Sequence, residues 1–174
     1  MKKFKSFISR TLDIVVNLAL ARLEGEISRL NQAMTIEAFV NFGATALAVG
    51  QVIIYDPSNT QGGLLPSGAT DKVRGLLIRE VRQGGVTGAA TVPQYAAASA
   101  LKIGYAIVKC VNGTPADGGK VYYRYALGQT GSSTRAIGTI ETAAITNEVI
   151  ELVGATFCGT VDSDGLVEVR FNLQ

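Results

Sequence analysis

Two hydrophobic periods divide this chain of 174 residues. In the first part apolar positions recur at intervals of three and four: Leu12, Val16, Ala19, Leu23, Ile27, Leu30 and Met34. That spacing predicts an amphipathic helix over residues 7–33 with its stripe on one face. The stripe repeats every eleven residues. Such a repeat favours a straight or slightly right-handed bundle over a heptad coil. A second apolar set, Ile14, Val15, Leu18 and Leu20, makes the helix greasy on more than one face. The expectation is an amino-terminal helical unit, residues 1–34, whose stripe of Leu12, Val16, Ala19, Leu23, Ile27 and Leu30 forms an interface. Three partners fit the pattern: its own β domain, further copies of the chain, or another protein or surface met through the basic end. Self-association accounts best for two apolar faces.

From Thr35 the period becomes two. Ile36, Ala38, Val40 and Phe42 alternate with Glu37, Phe39 and Asn41, as in a strand. Short strands then succeed one another between glycine-rich turns. Residues 51–56, 73–82, 101–111, 120–126, 136–143, 148–153 and 166–171 read as strands. The run Pro57 to Gly63 reads as a loop. Residues 101–111 and 120–126 read as a strand pair around a Gly- and Pro-bearing turn. The alanine-biased stretch 86–100 reads as a surface loop, with a one-turn helix or an extended arm as alternatives. Asp164-Gly165 marks a hairpin turn before the last strand. Two cassettes echo each other: Gly50 to Tyr55 in Gly119 to Arg124, and Val73 to Ile78 in Ala136 to Ile140. The echo suggests internal pseudo-symmetry. The expected fold is mainly β, a β-barrel or two-sheet sandwich over residues 35–174, with the amino-terminal α-helix ahead of it.

Candidate chemistry changes this picture little. The chain has no histidine, the usual general base near neutral pH and the commonest metal ligand. Gly84-Gly85-Val86-Thr87-Gly88 lacks the Gly-Lys-Ser/Thr of a phosphate loop. Asp162-Ser163-Asp164-Gly165 starts like a calcium loop, but a strand resumes at once. No catalytic, cofactor or metal site is therefore expected. Cys110 and Cys158 fall in strands and read as free thiols acting as small hydrophobes, with a bridge between neighbouring strands as the alternative. Net charge is +2, and charged residues are only 17% of the chain, so nucleic acid is not an expected partner. Lys72, Arg74, Arg79 and Arg82 form a modest basic strand, expected to be solvated or paired. Lys2, Lys3, Lys5 and Arg10 precede any acid, yet Arg10 and Asp13 break the apolar run behind the basic start, which argues against a cleaved signal. No apolar run reaches the roughly 18 residues of a membrane span, and no membrane partner is expected.

The cassettes carry a resemblance. In order, Ala48-Val49-Gly50-Gln51-Val52, Lys72-Val73-Arg74-Gly75-Leu76, Gly118-Gly119-Lys120-Val121-Tyr122-Tyr123, Ala136-Ile137-Gly138-Thr139-Ile140 and the ending Leu166 to Asn172 resemble those of tailed-phage capsid decoration proteins, also called structural cement proteins. The resemblance covers residues 35–174. It implies a non-enzymatic virion protein without cofactors, placed on the capsid exterior. Its partners would be the major capsid protein and itself, as a homotrimer. It would bridge neighbouring major capsid subunits and so stabilise the head, and an exposed sheet edge would add a strand to a neighbour. The alternative is a tail, neck or receptor-binding component working through the polar loop Gly128 to Thr134.

Overall fold

The structure is a computed structural model that describes residues 23–30, 32–79, 90–127 and 135–174. Its described part is mainly β, and one strand organises it. That strand, β7 (Ala97–Asn112), is sixteen residues long. Its first half belongs to one closed ring of strands and its second half to another.

The first ring is a five-strand barrel of β1 (Thr35–Asn41), β4 (Asn59–Leu64), β3 (Val52–Asp56), β5 (Val73–Leu77) and β7. Pairing of β1 with β7, from Val40↔Ala97 to Thr35↔Ile103, closes it. The second ring runs from β7 through β11 (Leu166–Asn172), β10 (Val149–Phe157), β8 (Lys120–Arg124) and β9 (Ile140–Glu141) back to β7. A closed ring with an odd number of strands cannot alternate direction throughout. Each ring accordingly holds one parallel pair, β1–β4 in the first and β7–β9 in the second. A short separate sheet pairs β2 (Leu47–Ala48) with β6 (Thr91–Val92).

The cassette echo has a structural counterpart. The first pair of cassettes forms β3 against β5, with Val52 opposite Leu76. The second forms β8 against β9, with Tyr123 opposite Ile140. In each ring the second cassette lies next to β7, but with opposite polarity: β5 is antiparallel to β7 and β9 parallel.

Adjacent residues of a strand point to opposite faces, and the first ring uses both. Phe39, Ile53, Leu77, Ala98 and Ala100 form one core, joined by Leu47 and Val92 from the small sheet. Val52, Leu76 and Leu101, one position along from Ile53, Leu77 and Ala100, join the second core. There they meet Val108, Tyr123, Phe157, Val169 and Phe171. One body results, because the back of the first ring is part of the filling of the second.

Several expectations are corrected. The helix over residues 7–33 is not found where the chain is described: residues 23–30 and 32–34 contain turns and a β-bridge, Ile27↔Ala106, and no helix. The remainder of that stretch, residues 7–22 and residue 31, lies outside the described residues. A glycine inside a helix costs about 1 kcal/mol, and Gly25 here has φ +75°. Its N–H donates to Ile107 O at 2.8 Å, and Glu26 O accepts from Ile107 N at 2.9 Å. These bonds satisfy the edge of β7 opposite β11. A helix would leave that edge bare.

Residues 59–64 form a strand and not a loop. Gly62 and Gly63 are close-packing glycines: a Cβ on Gly63 would lie 2.3 Å from the Phe39 ring. The alanine-biased segment opens the longest strand, with Ala98 and Ala100 in the core. Strands 101–111 and 120–126 do not pair with each other. β7 takes β11 as its neighbour and β8 takes β10. The strand expected at 136–143 shrinks to Ile140–Glu141. Among the described residues the β1–β7 and β7–β9 pairings close both rings, so an edge strand remains only in the small β2–β6 sheet. The last hairpin stands as read, with Asp162 Oδ1 accepting from Asp164 N and Leu166 N at 2.9 Å.

Candidate interaction surface

The amino-terminal stripe supplies half of its residues to one place. Leu12, Val16 and Ala19 lie outside the described residues. Leu23, Ile27 and Leu30 come together without a helix and line one shallow groove with Glu26 and Arg79. The groove is mostly apolar. Leu23 is 43% exposed and Leu30 74% exposed. In water such side chains gain by being covered.

The strap that carries them, residues 23–30, is held from several directions. Its backbone bonds to β7 at Tyr105 and Ile107. Gly25 O accepts from Arg79 N at 2.9 Å, which ties it to the chain after β5. A Cβ on Gly25 would lie 1.9 Å from Val49 Cγ1, so no other residue fits there. Ser28 Oγ donates to Glu168 on β11 at 2.6 Å, and Arg29 Nε donates to the same carboxylate at 3.1 Å. The Arg29 guanidinium also lies 4.2 Å from the centre of the Tyr105 ring. Burial pushes the Glu24 carboxyl up from its ordinary value, while Lys109 and Arg79 pull the other way. The strap is therefore a fixed part of the surface, and its apolar side chains are presented on a rigid base.

Charged side chains elsewhere serve the fold. Arg74, half of the expected basic strand with Lys72, is buried and donates to Gly62 O at 2.7 Å. Its guanidinium lies 4.6 Å from the Tyr55 ring centre. Tyr55 Oη donates to Glu37 at 2.7 Å, and Lys102 Nζ lies 3.1 Å from the same carboxylate. Burial pushes the Glu37 carboxyl up, but these hydrogen bonds and the charges of Lys102 and Arg74 outweigh it and hold it below its ordinary value. Arg79 Nε reaches Glu24 O, and Arg82 lies outside the described residues. Tyr123 and Tyr125 pack with the second core.

Sequence reasoning missed the most deeply buried ionic group. Arg124 Nε donates to Glu141 at 2.8 Å and Nη1 to Glu148 at 2.8 Å. Asn112 Nδ2 donates to Glu141 at 2.9 Å, and Arg135 stands 3.5 Å away. The signal was one charge at the end of each of three apolar runs. Only the fold shows that they meet.

Cys110 and Cys158 are free and half-buried, and burial pushes both thiols up. Among the described residues no three His, Cys, Asp or Glu side chains gather to hold a metal ion. Tyr95 is also exposed, 70% accessible with φ 63° and edge-on to Phe42 at 6.2 Å. What the surface offers chemically is apolar and aromatic contact area on a stiff frame.

Comparison with known proteins decides the class. Residues 12–171 match the family described as XM1 gp53 minor capsid protein. The chain belongs to the XM1 gp53 minor capsid protein family. It is a phage capsid-associated structural protein, and its place is the virion. Its fold is similar to that of a chain in the solved structure titled "The capsid of Myoviridae Phage XM1", with a TM-score of 0.65 and 18% identity. The likeness covers 86% of this chain and 89% of that one. At that identity it speaks for a shared fold. A search of curated proteins returned no match.

Proposed function

We propose that this minor capsid protein is a non-enzymatic accessory subunit on the outer surface of the head, where it bridges neighbouring major capsid subunits as a homotrimer. The observation that carries the reading is the apolar groove of Leu23, Ile27 and Leu30 on a strap clamped to two closed rings. A stiff body with an uncovered apolar seam is suited to bracing. Many copies, each adding a modest interface, resist outward pressure through multivalent contact. Residues 1–34 act as the assembly or docking unit and residues 35–174 as the body, with the strap joining them. Contact through the groove and loops is favoured over strand addition to either ring, since among the described residues neither ring ends in a free edge.

The test is reconstitution. Purified heads lacking the protein are incubated with the full chain, and bound copies and shell melting are measured. Saturable binding in a fixed ratio to the major shell protein, with a raised shell melting temperature, is expected. Binding without any gain in shell stability would remove the bracing role. A copy number far below that of the shell protein would move the chain to the neck or tail.

A further inference from the structure

We propose that the basic mouth of the first ring, where Lys72, Arg74 and Lys102 surround Tyr55, receives a carboxylate side chain from a protein partner. Given the proposed function, on which this rests, that partner is a shell subunit, and the mouth supplies the ionic part of docking.

Side chains from four strands meet at this end of the ring. Glu37 of β1, Tyr55 of β3 and Lys102 of β7 stand two positions from Phe39, Ile53 and Ala100, so they continue the face of the first core. Phe39, Ile53 and Ala100 are buried, whereas the Glu37 and Lys102 side chains are 29% and 20% exposed. Exposure rises because the ring opens there. Arg74 of β5 joins them and donates to Gly62 O of β4 at 2.7 Å. β1 neighbours neither β3 nor β5, so these side chains meet across the interior of the ring.

Two irregularities place the cations. Ile53 pairs with Gly75 and Ile54 with Val73, which makes Arg74 an extra residue in β5. Simple alternation would put it with Leu76 in the second core, and the bulge turns it into the first ring. Lys102 is likewise the extra residue between the pairs Ile36↔Leu101 and Thr35↔Ile103. The centre of the Tyr55 ring lies 4.6 Å from the Arg74 guanidinium, 5.2 Å from Lys72 Nζ and 5.9 Å from Lys102 Nζ.

Charge at this mouth does not balance. Among the described residues Glu37 is the carboxylate that pairs with these cations, and it is shared by Lys102, Arg74 and the Tyr55 hydroxyl. Lys72 is exposed and makes no ion pair among the described residues. Arg74 Nε is buried with no hydrogen-bond partner, 3.6 Å from Glu37 Oε2. The acids that flank the group in sequence are engaged by their own turns. Asp56 accepts from Ser58 N, and Asp71 accepts from Ser67 N and Gly68 N. A carboxylate arriving beside Lys72 meets the excess positive charge and accepts charge-assisted hydrogen bonds. The cations converge on one point, whereas a nucleic-acid backbone is met by a row of them. The aromatic ring at that point is already engaged by cations. An acidic side chain is the occupant that fits.

The experiment uses the full chain, first without shells. It is titrated at low salt with an acetylated, amidated tetraglutamate peptide, and separately with a tetraglutamine peptide and a thymidine oligonucleotide. Binding of the glutamate peptide is expected, abolished by salt and absent for glutamine. Lys72→Gln changes an exposed side chain, so the melting temperature should hold while affinity falls by about twofold to fivefold. Carbodiimide should link the bound peptide to Lys72 or Lys102 in preference to Lys120, whose side chain is 65% exposed. Equal binding of the two peptides, an unchanged affinity in Lys72→Gln, or linkage spread evenly over the lysines would overturn the proposal. Tighter binding of the oligonucleotide, lost in the same variant, would overturn it in favour of nucleic acid. Heads lacking the protein then separate the two claims. A parent chain that binds the peptide but no heads removes the bracing role and leaves the mouth as a carboxylate site. Heads bound equally well by the parent and by Lys72→Gln would overturn the mouth as the docking contact while the bracing role stands.

Discussion

Replacing Arg124 by methionine should be the most damaging single charge deletion in the second ring. The Arg124 and Glu141 side chains are fully buried, and Glu148 is 10% exposed. Methionine fills much of the same volume but removes the guanidinium that the two carboxylates share. Arg135, at 3.5 Å, and Asn112 remain for Glu141. Glu148 loses its bond of 2.8 Å. Breaking a buried pair from one side costs about 3–5 kcal/mol, because a charge is stranded in a poor solvent. For a chain of this size that corresponds to roughly 6–20 °C in melting temperature. The pair is not itself a large source of stability: Arg124 Nη2 is buried with no hydrogen-bond partner. The triple variant R124M/E141Q/E148Q should therefore recover at least about 2 kcal/mol of the loss. Urea unfolding monitored by circular dichroism measures all three proteins. Lys120→Ala, which removes a bridge to Glu151 with side chains 65% and 36% exposed, serves as control and should leave melting unchanged. A single-variant loss below about 1 kcal/mol, or a triple variant as unstable as the single, would refute the reasoning.

Two further outcomes are set by the geometry. The Glu37 carboxyl is held below its ordinary value of 4.5 in the folded chain. Its contribution is therefore complete above that pH and lost as pH falls through the folded value. Glu37→Gln should lower the melting temperature at pH 7 and flatten its decline on acidification, and parallel curves for the two proteins would contradict the assignment. Gly75→Ala should destabilise by about 1–3 kcal/mol, since the added Cβ would stand 2.5 Å from Leu101 O, a backbone atom that cannot swing away. Thermal melts equal to the parent would show that β5 and β7 can part without cost.

Much of the fold was legible where one face of a strand meets one core. The alternation from Ile36 onward marked β1 but not its inward face, since Phe39 and Asn41 are buried while Ile36 is 42% exposed; Asp164-Gly165 marked the final hairpin, because that signal is local. The cassette echo also survived as two antiparallel strand pairs, each next to β7. Pairing partners were not legible. β7 and β8 are consecutive in the chain and look like a hairpin, yet β7 pairs β11 and β8 pairs β10. Ring closure is a long-range event that no window of residues records. Glycines at 62 and 63 were ambiguous for the same reason, since close packing and turning call for the same residue.

The sequence by itself determined a mainly β chain without a histidine-based site, with a distinct amino-terminal apolar stripe and cassettes of a phage capsid protein. Those properties reside in composition, period and short motifs. Tertiary structure decided what the stripe does between Leu23 and Leu30. Its spacing of three and four is helical, but Gly25 and the open edge of β7 turn it into a strap. Backbone hydrogen-bond demand along β7 at Tyr105 and Ile107, between its β1 and β9 partners, outweighed the local period, and the same apolar residues reached one groove by another route.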